Sequence, residues 1–143
     1  ATFTYSQLGY VHQGWLTEDQ RFLFIGDEAD EQTFSTNTRT LVFDVSDLDS
    51  PVFRYAHTAT TRSIDHNLYV RGNRLYQANY SSGLRILEFS DPSIDTLNEI
   101  AWFDTRPEDD DVSFTGAWSV YPYFASGNLI VSDTRRGLFI VSF

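Results

Sequence analysis

The stretch GLRILEFSD, Gly83 to Asp91, is nearly rewritten at GLFIVSF, Gly137 to Phe143. Overlaid at an offset of 54 residues, the two copies pair Gly83 with Gly137, Leu84 with Leu138, Ile86 with Ile140, Leu87 with Val141 and Phe89 with Phe143. The match continues upstream. There RLYQANYSSG (Arg74 to Gly83) lies over NLIVSDTRRG (Asn128 to Gly137), setting Leu75 on Leu129 and Asn79 on Asp133. A third copy, RTLVFDVSD (Arg39 to Asp47), lies over GLRILEFSD at an offset of 44. Short Val/Ile/Leu/Phe/Tyr runs punctuated by Gly, Asn, Asp and Ser, repeating every forty to fifty residues or so, are the pattern of a β-propeller with one four-stranded sheet per repeat. No segment sustains a 3.6-residue period for three turns, so helix has little room.

The spacing predicts an all-β fold of β-propeller blades in a single domain spanning 1–143: three blades at about 10–57, 65–104 and 116–143, a partial propeller. The predicted strands of the first are 11–16, 22–26, 40–45 and 52–57, and of the second 66–71, 75–79, 84–89 and 99–103. The third has 117–121, 128–132 and 138–141 and lacks a fourth strand. The β-prone run TFTYS, Thr2 to Ser6, is one candidate to complete it and a partner chain is the other. Propellers typically have four to eight blades. The remaining blades are therefore expected from a longer parent chain or from a second copy, as a homo-oligomer.

Charge narrows the partners. Twenty acidic residues against 10 basic give a net charge of −10, which repels phosphate backbones and anionic lipid surfaces. No nucleic acid is expected as a partner. No run approaches the ~18 consecutive apolar residues of a membrane-spanning helix, so no membrane insertion by this segment is expected. The absence of Cys removes disulfides, thiolate nucleophiles and Cys-based zinc sites. The chain also lacks Met, even at position 1, and reads as a processed or excised piece.

Three long stretches carry a resemblance: YVHQGWLTEDQRFLFIGDE (Tyr10 to Glu28), DHNLYVRGNRLYQANYSSGLRILEFSD (Asp65 to Asp91) and GAWSVYPYFASGNLIVSDTRRGLFIV (Gly116 to Val141). Together they resemble the C-terminal portion of choice-of-anchor B family proteins, the LVIVD-repeat β-propellers of bacteria. The resemblance implies a secreted or cell-surface protein whose N-terminal blades lie outside this chain. It implies fold and location more than activity.

In a propeller the first strand of each blade lines the centre, and ligands sit where the loops leading into it meet those leaving the second strand. His12, His66 and Gly116 to Trp118 fall at equivalent first-strand starts, and Asp27, Asn79 and Asp133 at equivalent second-strand ends. His12, His66 and Trp118 are the candidate ligand-binding residues. Asp27, Glu28 and Asp133 are the candidate metal ligands. Histidine suits zinc or a transition metal, whereas an all-oxygen set drawn from Asp27, Glu28, Asp30 and Glu31 suits a divalent cation such as calcium. The competing reading gives the strand-end Asp/Asn residues to the backbone of the adjoining turn. It gives the first-strand aromatics Trp15, Tyr69 and Trp118 to wedging one blade against the next. The acidic insertion EADEQTFSTNTR (Glu28 to Arg39) and the run PEDDD (Pro107 to Asp111) read as solvated loops. No Gly-x-Ser-x-Gly, His-Glu-x-x-His or phosphate-cradling glycine loop is present. The sequence points to a non-catalytic binding or assembly module, with a metal-dependent hydrolase or lyase at the mouth of the channel as the alternative.

Overall fold

The computed structural model describes every residue from Ala1 to Phe143. It is an all-β protein of three antiparallel sheets with four, four and three strands. The first sheet is built from β1 (Val11–Leu16), β2 (Phe22–Asp27), β3 (Arg39–Asp44) and β4 (Val52–Thr58), and a short helix α1 (Asp30–Phe34) interrupts the β2–β3 connection. The second contains β5 (Asn67–Arg71), β6 (Arg74–Ala78), β7 (Leu84–Glu88) and β8 (Asn98–Phe103). The third contains β9 (Ala117–Tyr121), β10 (Asn128–Asp133) and β11 (Gly137–Ser142). Each strand pairs with its neighbour in sequence, so every sheet is a simple meander. All eleven predicted strands are present, none displaced at either end by more than one residue.

The strands form where two-residue alternation lets one face meet the next sheet. Phe22, Phe24 and Val42 of the first sheet pack on Leu68, Val70, Leu75 and Leu87 of the second. Tyr76, Ala78, Leu84 and Ile86 then meet Ala117, Val120, Leu129 and Val131 of the third. The first strands of the sheets run side by side, β1 against β5 and β5 against β9. That row brings the His12, His66 and Trp118 positions together.

Two expectations change. Residues 2–6 form no strand. Instead Phe3 and Tyr5 lie on the outer face of the first sheet, with ring centroids 4.4 and 6.0 Å from that of Phe43. The segment buries its rings on a ready apolar face, where Ile25, Leu41, Phe43 and Val45 form a third core cluster. In the single chain β11 stays an open edge. The acidic insertion is likewise not solvated throughout. Asp30 and Glu31 are 0% and 1% exposed, because α1 folds back over the end of β2 and turns their carboxylates inward, and the helix ends where Ser35 turns left-handed.

Candidate functional site

The site lies at one rim of the first strands, where the β2–β3 and β6–β7 connections and the segments leading into β1, β5 and β9 converge. Strand register decides which side chains share a level. Gly26, Ala78 and Ser132 pair with Gln13, Asn67 and Ser119, so the residues just before them, His12, His66 and Trp118, are structural counterparts. Their rings form a ladder: His12 stacks on His66 at 4.1 Å with planes 25° apart, and His66 meets Trp118 at 4.1 Å. The same register makes Tyr121, rather than Trp118, the counterpart of Trp15 and Tyr69. Trp15 and Tyr69 do wedge sheets together, at 4.9 Å edge to face, with Tyr123 closing the group.

Each rung of the ladder is fixed by its neighbour. His12 Nδ1 lies 3.3 Å from the carbonyl oxygen of His66, and His66 Nδ1 lies 2.6 Å from that of Trp118. A carbonyl only accepts, so in both contacts Nδ1 is the donor and Nε2 is the ring nitrogen left for another partner. Burial lowers the His66 pKa against the opposing pull of the Trp118 carbonyl, so the ring is neutral at pH 7. Glu28 closes the group, with Oε1 accepting from the Tyr80 hydroxyl at 2.7 Å and lying 3.7 Å from His66 Nε2. Burial and that bond to Glu28 raise the Tyr80 pKa, so the phenol stays protonated as a donor.

The ligand atoms of His12, Glu28 and His66 lie within 4.8 Å of one another, and so do those of a second group, Asp30, Glu31 and Asp65. Asp27 and Asp133 belong to neither. The buried Asp27 carboxylate accepts from the Tyr5 hydroxyl at 2.7 Å and from the backbone amides of Gly9 and Tyr10, pinning the N-terminal segment to the start of β1. Asp133 Oδ1 accepts from the amides of Arg135 and Arg136 in the β10–β11 turn.

The second group is deeper. Asp30 Oδ2 accepts from Arg39 Nε at 2.6 Å in an ion pair with almost no solvent access. Neither carboxylate oxygen of Glu31 has a partner, nor does Asp65 Oδ1. Burial, then the charges of Asp65 and Asp30, raise the Glu31 pKa; burial, then Asp30 and Asp27, raise that of Asp65. Sequence reading named Asp30 and Glu31 and missed Asp65, whose only local signal was its place beside His66.

Comparison of the chain with protein-family models, with curated proteins and with solved structures returned no match. The functional reading therefore rests on these residues.

Proposed function

We propose that the chain is a non-catalytic binding and assembly module whose three sheets are blades of a partial β-propeller, in a secreted or surface-associated protein of the choice-of-anchor B kind. The observation that carries this reading is the unfinished third sheet. Its outer strand β11 has no neighbour beyond it, and Leu138 and Ile140 are 61% and 69% exposed on the face turned away from the second sheet. Tyr121, also half exposed, extends the same face. Covering an aliphatic side chain of this size contributes about 1.5–3 kcal/mol, and an open apolar edge invites a further strand. Three blades are half of a six-bladed ring, so the missing half comes from the rest of a parent chain or from a second copy. The His12–His66–Trp118 ladder, set on the axis of such a ring, offers stacking faces to a planar ligand or sugar.

Light scattering on the chain, with and without residues 1–6, tests the assembly. Association in the intact chain is expected; a stable monomer in both cases refutes it.

The second reading is a metal-dependent hydrolase or lyase. It is favoured by the convergence of His12, Glu28 and His66, since two Nδ1–H groups held by carbonyls leave two Nε2 atoms free to ligate. Stacking weighs against it. Rings 25° apart direct their in-plane lone pairs nearly side by side, and one ion must sit off both ring planes to share them. Stoichiometric zinc or iron in protein purified without added metal would decide for this second reading.

A further inference from the structure

We propose that Asp30, Glu31 and Asp65 form a binding site for a hard divalent cation of the calcium class, separate from the histidine ladder. The three residues are 0%, 1% and 2% exposed, and their ligand atoms lie within 4.8 Å of one another. The observation pointing to a ligand is Glu31. Its side chain is buried and directed into the group, neither oxygen accepts from any donor, and what its carboxyl group meets are the carboxyl groups of Asp30 and Asp65. A buried carboxylate without a partner loses its hydration and gains nothing in return, and here a second one, Asp65 Oδ1, faces the same space.

Charge sets the valence. Arg39 offsets Asp30, and the Tyr5 hydroxyl with two backbone amides satisfies neighbouring Asp27. Glu31 and Asp65, whose protons the ion displaces as it binds, then bring two negative charges to an ion carrying two positive ones. Donor chemistry sets the class: the donors are all oxygen, and sulfur or imidazole is absent from the group, which suits calcium, magnesium or manganese rather than zinc or copper. Burial favours calcium among these, because magnesium gives up its water shell reluctantly. Asp30 Oδ1 is available as a fourth oxygen, engaged only by a long 3.4 Å contact from the Thr36 hydroxyl. The backbone makes room for the group at Gly26, where any side chain would run into Asp65 Oδ2.

The site shares no residue with His12, Glu28 and His66, and it does not depend on the assembly proposed above. It does share a loop. Glu28 stands two residues before Asp30, so an ion held by α1 would also steady the carboxylate facing the ladder.

The test is calorimetric titration of chelator-stripped protein with calcium chloride, alongside thermal melts in chelator and in calcium. One calcium per chain and a melting temperature raised by the ion are expected. Glu31→Gln keeps the shape and removes a charge: it is expected to weaken calcium at least about tenfold, abolish the thermal shift, and leave the chelator-treated protein no less stable than the parent. Asp65→Asn should repeat the loss of affinity, and Asp110→Asn in the solvated acidic run should not. Several results would overturn the proposal. These are no binding by the parent protein at about 1 mM calcium, identical melts in chelator and calcium, or unchanged affinity in both Glu31→Gln and Asp65→Asn. Magnesium binding as tightly as calcium would overturn the assignment of the ion class.

Discussion

Gly116 precedes β9 and thereby sets Trp118 on the ladder, and replacing it with alanine should cost far more than the same change at Gly127. Its φ of +129° lies where side chains rarely go, and an added Cβ would run into the carbonyl group of Tyr80. That carbonyl cannot move freely, because it accepts from the amides of Ala117 at 2.8 Å and Gly83 at 3.0 Å. Backbone strain of about 1–3 kcal/mol, with two hydrogen bonds weakened at about 0.5–1.5 kcal/mol each, places Gly116→Ala at about 2–6 kcal/mol. Gly127 also has a positive φ, +82°, but nothing stands within 4 Å of an added Cβ, so Gly127→Ala carries conformational strain alone, about 1 kcal/mol. Urea unfolding followed by tryptophan fluorescence reads the difference. With a slope of about 1–3 kcal/mol per molar urea, the Gly116→Ala midpoint should fall on the order of 1–2 M below the parent, and the Gly127→Ala midpoint well under half of that. Equal losses in the two variants would refute the claim that the Tyr80–Ala117 bridge locks β9 in place.

Arg39→Met should destabilise by about 3–5 kcal/mol, since it leaves Asp30 buried without its ion pair, and chemical unfolding measures this directly. Phe43→Ala, at a ring with 0% exposure that carries Phe3 and Tyr5, should cost about 3–5 kcal/mol and make residues 1–9 the first cleaved in limited proteolysis. In chelator, stability should fall as pH rises. The folded-state pKa values of Glu31 and Asp65 are raised, so their contribution is complete below the unfolded carboxylate value of 4.5 for Glu and is lost upward through neutrality, at up to about 1.4 kcal/mol per pH unit for each retained proton. Asp44 and Asp91, lowered by the hydroxyls of Ser46 and Ser93, run the opposite way. Unfolding of the parent and of Glu31→Gln at pH 5 and pH 7.5 isolates the buried group, and a gap between them that does not change with pH would contradict the assignment.

The strands were legible because alternation is local: LRILE and LIVS state in a few residues which face is buried. The levels of the ladder were legible for the same reason, through equivalent positions at the starts of β1, β5 and β9. The acidic insertion was not. EADEQTF reads as a solvated loop, since the groups that bury it, Arg39 and Asp65, depend on how α1 folds back across two sheets. Among the first-strand aromatics, Trp118 was set three residues out of level, because β9 carries a tryptophan at the level of His12 and His66 and a second aromatic, Tyr121, at the level of Trp15 and Tyr69. TFTYS carries strand propensity, yet such propensity is realised only against an available edge, and in this chain Phe43 offered a face instead.

Because each sheet is a meander of consecutive strands, every pairing is made by residues close along the chain. The first sheet has all its hydrogen-bonding partners once Thr58 is in place and the second once Phe103 is. Pairing between consecutive strands favours early formation of each sheet by itself, and during synthesis, N-terminus first, each finished sheet presents the surface on which the next is laid. The buried acid group spans the first such junction, between α1 and the segment leading into β5. It is completed only when Asp65 has been added, so the second sheet docks on the first at the step that also brings the last carboxylate into position.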